Sequence, residues 1–356
     1  MDLFSPLALG DLQLANRITM APLTRMRADE NGVPGELIAE HYAQRASLGL
    51  IVTEGTFPVQ EGKAFVGQPG VETQAQIAGW RAVTDAVHAA GGLIVVQLMH
   101  GGRVSHPEIT GTDRIVAPSA IAIEGSVHTA VGKRDFPVPH ALTVDELAVT
   151  KDALVAGAVN AIRAGFDGVE VHSANGYLLH EFLAPSSNTR EDRYGGTPQN
   201  RARFGIEVIT AVAEAIGAGR TGVRISPSRN IQDVIELDAD DVRATYEALV
   251  DGISALGLAY LSVLHGEIEG ELVQDLRSRF GGKVIGNSGF ETVTTRQDAE
   301  ALVHSGLVDA IAVGRLALAN PDLVHRWSNA AAENEPDYSS FYTPGPRGYT
   351  DYPALP

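Results

Sequence analysis

Short runs of apolar and β-branched residues, each ended by Gly, Pro or a polar side chain, recur at Ile18–Pro22, Leu50–Gly55, Leu93–His100 and Gly168–His172. They return at Gly222–Pro227, Ala259–Leu264, Lys283–Gly289 and Ala310–Arg315. Continuous runs of this length read as strands buried on both faces. Between most of them the apolar spacing becomes helical, at Gln76–Ala90, Val144–Ala164, Ala202–Ile216, Ala239–Leu256 and Thr294–Ser305. Eight strands alternating with helices predict an α/β protein, a single (β/α)8 TIM barrel domain spanning 1–356, with a doubly wound sheet as the rival.

A barrel needs about 250 residues, so part of the 356-residue chain lies outside it. Leu7–Leu14 alternates about Gly10-Asp11 and predicts an N-terminal hairpin closing the barrel floor. Arg103–Leu142, rich in Pro, Gly and Ser, is long for a connection and reads as a lid after the third strand. From Glu333 onward the chain carries five Pro and four Tyr without a helical period, the composition of a C-terminal strap.

Composition then narrows the chemistry. With no Cys, the chain has no disulfide, thiolate metal site, iron–sulfur cluster or Cys nucleophile, so redox work requires a borrowed cofactor. A net charge of −17 argues against nucleic acid or an anionic membrane as partner and favours a small molecule. Neither a basic leader nor a run of about 18 apolar residues is found, and a cytoplasmic protein is expected.

Several familiar motifs fail. Gly217-Ala218-Gly219-Arg220-Thr221-Gly222 matches a dinucleotide fingerprint in letters, but a helix precedes it and a strand follows, the reverse of what phosphate binding needs. The only lysines are Lys63, Lys133, Lys151 and Lys283, and Lys283 opens its strand at the face opposite the one a Schiff base would use. His100 and His172 end strands, yet the first strand ends in Ala21-Pro22 without paired His ligands, so no metal is assigned. Glu54 reads equally as a structural acceptor or a general base.

Active sites of this fold lie at the C-terminal rim of the barrel. The rim residues are Thr24, Glu54, Gly55, Gln97, His100, His172, Arg224, His265, Ser288, Gly289, Gly314 and Arg315. Backbone N–H groups at Gly286-Asn287-Ser288-Gly289 and Gly314, with the Arg315 guanidinium, form a candidate phosphate cradle. Gln97 and Arg224 offer an amide and a fixed cation to a planar ring with an imide edge. In His172-Ser173-Ala174-Asn175-Gly176-Tyr177, an imidazole, an amide and a phenol follow the end of the fourth strand and can converge on one small volume.

These residues, together with Asn16-Arg17-Ile18, Met20 to Arg25, Gln97 to Arg103, Gly165 to Tyr177, Asn188 to Gly196, Asn200 to Phe204, Asn320 to Leu323 and Gly348 to Tyr352, resemble the Old Yellow Enzymes from Leu3 to Leu355. These are FMN-dependent NAD(P)H:ene-reductases, and the absence of Cys points to the short branch without an iron–sulfur cluster. The resemblance implies FMN as cofactor: Pro22, Leu23 and Gly55 line its ring, Thr24 bonds the C4 carbonyl, Gln97 meets the pyrimidine edge and Arg224 lies near N1. Ser288, Gly289, Gly314 and Arg315 hold its phosphate.

It further implies that His172 and Asn175 bind the activating oxygen of an α,β-unsaturated aldehyde, ketone, imide or nitroalkene, that Tyr177 donates a proton, and that NADPH or NADH supplies hydride in a ping-pong cycle. Phenolic ligands would share that pocket, which Phe65, Met99 and Tyr342 help to form. Relatives often carry Tyr for Phe65 and Trp for Met99, so one hydroxyl is absent and there is more room. Taken without the resemblance, the phosphate logic also suits another FMN barrel such as a 2-hydroxy acid oxidase, or a flavin carrier without turnover; subunit number is left open.

Overall fold

The computed structural model describes residues 1–356, and the eight predicted runs form its central strands: β1 Ile18–Met20, β2 Leu50–Thr56, β3 Ile94–Leu98, β4 Gly168–Ser173, β5 Thr221–Ile225, β6 Tyr260–Leu264, β7 Val284–Asn287 and β8 Ala310–Val313. Each pairs in parallel with the next, and β8 returns to β1 with Ile311 opposite Ile18, giving a closed barrel and excluding the doubly wound sheet. Every residue of these strands is buried, because helices cover the outside and side chains fill the inside.

Two apolar layers result. The outer one packs strand residues such as Val96, Val171 and Val223 against helix residues such as Trp80, Leu154, Val208 and Leu249. The inner one is smaller and sits low in the barrel, where Leu7, Leu9, Leu12 and Leu14 of the floor hairpin meet Val52, Val95, Tyr260 and Ile285. Gly10 turns this hairpin at φ +57°; a Cβ there would lie 2.5 Å from the Gly219 carbonyl, so only glycine lets the plug seat. Three surrounding helices begin with reciprocal Thr caps, at Thr73, Thr143 and Thr295.

The stretch Gly217–Gly222 is a helix-to-strand turn, as its order implies: helix Pro198–Ile216 stops at Gly217 and β5 begins at Thr221. The lid has more order than its composition suggests. It contains a helical turn Pro107–Thr110, a short pair of Val116–Ala117 with His140–Ala141, and a hairpin of Ser126–Thr129 with Gly132–Asp135. That hairpin has almost no apolar alternation, since Val127 is its one buried residue, and hydrophobic spacing could not reveal it.

The strap lies across the rim on two arginines. Arg25 donates to the Phe341 and Gly348 carbonyls at 3.1 and 2.7 Å, and Arg27 to those of Ser340 and Gly345 at 3.0 and 3.1 Å. The Tyr349 ring stacks on His41 at 3.9 Å and faces both guanidinium groups, at 4.9 and 4.2 Å. No helix is long and apolar enough to cross a membrane.

Candidate active site

A cavity of about 820 Å³ opens at the C-terminal rim, within the size range of small-molecule sites. Its walls include Pro22, Leu23, Thr24, Gly55, Phe65, Gln97, Met99, His172, Asn175, Tyr177 and Tyr342, so the structure gathers these predicted residues around one space. A narrow cleft continues from it past Pro22, Leu23 and Phe290 to Arg224, Gly289, Gly314 and Arg315. Ser288 stands one position off that wall, between Asn287 and Gly289.

Buried acceptors fix the loop after β1. Glu54 receives the N–H groups of Arg25 and Met26 at 2.9 and 3.0 Å and is itself positioned by its own N–H, which donates to the Tyr42 hydroxyl. Glu54 is therefore a structural acceptor and does not line the cavity. His100 is also structural: its Nδ1 accepts from Gly102 N–H, and burial pushes its imidazole down to about 4. The His265 side chain bonds only within its own loop, to Glu267.

On the barrel's inner face, Gln97 lies opposite Glu170 in register and donates to its carboxyl at 2.8 Å. This fixes the Gln97 amide and leaves its carbonyl oxygen with no protein donor. Burial raises the Glu170 carboxyl, while the Arg224 cation and the Gln97 bond act in the opposite sense. Arg224 donates to Ser262 Oγ at 3.1 Å, but its Nε is buried without a partner.

The β4 end carries the reactive cluster. His172 is buried, its Nδ1 has no partner, and desolvation, followed by the Arg224 charge, holds it well below the usual histidine range. It is a neutral imidazole with one N–H to give. Asn175 turns the chain at φ +57°, anchored by its N–H on Ser226 Oγ at 2.8 Å, with its side-chain oxygen unpartnered. Tyr177 caps the following helix; its ring centroid is 5.2 Å from that of His172 and meets Phe65 edge-on at 6.3 Å. The protein around it pushes its phenol up to about 12, mainly by desolvation, so the group keeps its proton.

Unpaired buried polar atoms are uncommon in folded proteins, and those that line a cavity are candidates for contact with a ligand. Among those in this protein, the ones at the site are Arg224 Nε at the cleft and His172 Nδ1 at the cavity, placed for a planar, anionic-tailed cofactor below a carbonyl-bearing substrate. FMN fits this set: Gln97 and Arg224 would hold the ring edge, and Gly289, Gly314 and Arg315 the phosphate.

Sequence patterns alone left several wall residues unassigned. Val127, His128 and Phe136 come from the lid hairpin and its exit, Arg229 and Ile231 from the loop after β5, and Phe290 from the loop after β7. The lid hairpin lacked alternation, and the other three lie beyond strand ends, where no periodicity marks them.

The family model for the NADH:flavin oxidoreductase / NADH oxidase family matches residues 2–334. A probable flavin mononucleotide-dependent alkene reductase from Leishmania infantum is 42% identical, covering 99% of this chain and 97% of its own. A 12-oxophytodienoate reductase 7 from Oryza sativa subsp. japonica is 39% identical, with 99% and 94% covered. Among solved structures, the old yellow enzyme homologue from Zymomonas mobilis superposes with a TM-score of 0.94 at 40% identity over 100% of both chains. Morphinone reductase in complex with tetrahydroNAD does so with 0.93 at 42% identity, over 100% of this chain and 98% of that one. With barrel, cleft and comparisons in agreement, the chain belongs to the NADH:flavin oxidoreductase / NADH oxidase family, as an FMN-dependent ene-reductase of the Old Yellow Enzyme type.

Proposed function

We propose that His172, Asn175 and Tyr177 carry the reduction of electron-poor alkenes in this enzyme. The observation that supports this most directly is the unpartnered, buried His172 Nδ1 on the same cavity wall as Asn175 and a protonated phenol. When bound and reduced by NADPH or NADH, FMN supplies the hydride that reaches the β carbon of the alkene.

The chain's own residues do the rest. His172, a neutral imidazole with one N–H, gives one hydrogen bond to the oxygen of the activating carbonyl or nitro group. Asn175 gives a second through its amide N–H, and together they draw electron density from the C=C bond. Tyr177 supplies the proton to the α carbon, so the alkene gains one hydride and one proton and becomes the saturated product. Thr24 and Gln97 orient the ring through hydrogen bonds, and the Arg224 cation offsets the negative charge that reduction builds nearby. Phenols would place their oxygen on the same pair, His172 and Asn175. A cytoplasmic setting, with its pool of reduced nicotinamide cofactor, belongs to the same proposal.

Anaerobic titration tests the reading. NADPH should bleach the yellow oxidised chromophore, and cyclohexenone or maleimide should restore it with one equivalent of saturated product. A chromophore that NADPH leaves oxidised, or that only hydroxy acids reduce, overturns it.

A further inference from the structure

The wall that bears Asn175 is built from backbone that other residues rarely adopt. Outside glycine, φ is positive at Met26, Asn175, Ser228, Gln232, Asp233 and Ala330. Asn175, Ser228, Gln232 and Asp233 lie in two adjoining segments, the turn after β4 and the loop after β5. Non-glycine residues hold this conformation only where their surroundings enforce it.

A buried trio enforces it here. Gly176 N–H donates to His180 Nδ1 at 2.8 Å, which places the imidazole proton on Nε2. That Nε2 faces Tyr246 Oη at 2.9 Å and Glu236 Oε1 at 3.4 Å. Glu236 Oε2 accepts from Ser228 N–H at 2.8 Å and from the Tyr246 hydroxyl at 3.3 Å. The loop is then tied directly to the turn, since Gln232 Nε2 donates to the Asn175 carbonyl at 2.7 Å. His180 and Tyr246 have no exposed surface and Glu236 is 7% exposed, and none of the three lines the cavity.

We propose that His180, Glu236 and Tyr246 are positioning residues for Asn175, a buried clamp that locks the turn after β4 to the loop after β5 and so sets where the Asn175 amide meets the substrate oxygen. The proposal rests on the role given to Asn175 above. A bystander core would be served by apolar side chains of equal volume; a polar trio joining two strained loops gives direction as well as packing.

The test is a double-mutant cycle on the oxidised, FMN-loaded enzyme. Cyclohexenone affinity is read from the shift it causes in the flavin absorbance, and FMN affinity from fluorescence. His180→Phe should weaken cyclohexenone binding about 10-fold while FMN affinity changes less than twofold. Asn175→Ala should weaken it similarly, and the double variant should be no weaker than Asn175→Ala alone, because the clamp acts through that amide. Tyr246→Phe, which removes one hydroxyl at constant shape, should give a smaller loss with the same non-additivity, and serves if His180→Phe does not retain FMN. Additive losses, or unchanged cyclohexenone affinity in a folded clamp variant, overturn the clamp alone. Unchanged affinity in Asn175→Ala overturns the role of Asn175 and the clamp with it.

Discussion

Tyr177 can deliver a proton only while it holds one, and its surroundings push its phenol up to about 12. The protonated window is therefore extended upward from the usual value near 10, and alkene-driven reoxidation should show no tyrosine-dependent fall up to pH 10 in stopped-flow records. Tyr177→Phe should slow that half-reaction by about 10²- to 10⁴-fold, the usual worth of a positioned acid, while reduction by NADPH stays within twofold. Equal losses in both halves would contradict the assignment. His172→Ala removes one donor to a buried oxygen, worth ~1–3 kcal/mol, so phenol affinity should fall roughly 5- to 150-fold by absorbance titration. These side chains were legible in the sequence because a strand end fixes where His172 stands and two residues of turn bring Asn175 and Tyr177 round. Glu54 was ambiguous for the converse reason: a lone carboxylate at a strand end does not say whether its partner is substrate or the backbone of Arg25 and Met26.

Elements show the same division. Buried strands declare themselves by unbroken apolar runs, whereas the Ser126–Asp135 hairpin, exposed on both faces apart from Val127, has no pattern to declare. The base of that lid carries a buried acid. Glu181 accepts from Arg103 N–H at 2.9 Å, and Arg103 reaches the carbonyls of Ile121 in the lid and Gln232 in the β5 loop, at 3.1 and 3.2 Å. Burial outweighs the Arg103 charge and pushes the Glu181 carboxyl from 4.5 up to about 8. A raised folded-state value means that this contribution to stability is complete below 4.5 and is lost as pH climbs through 8. The melting temperature should therefore decline over that window, and Glu181→Gln, neutral throughout, should flatten the decline. An identical slope in wild type and variant would refute the assignment.

For the molecule as a whole, alternation of strand and helix was enough to give a parallel α/β fold, with barrel and doubly wound sheet both open; the pairing of β8 with β1 is what decides for the barrel. The path of the strap was not legible. Its Pro and Tyr content marked an irregular segment, but its anchors are arginines at positions 25 and 27, more than 300 residues earlier, and no local pattern joins them to Tyr349. Tyr349 is fully buried between His41 and those guanidinium groups. Tyr349→Ala should cost ~3–5 kcal/mol, as for other large buried rings, seen as a lower urea midpoint. A midpoint unchanged from wild type would show that the strap contributes nothing to holding the rim.

The four leucines that stopper the lower end of the cylinder close it from below, and the cavity lies at the opposite rim. On the proposed function, nicotinamide and alkene use this one cavity in turn, and each should exclude the other. Raising the concentration of either one should throttle turnover by crowding out its counterpart, so velocity ought to pass through a maximum and fall along both concentration axes.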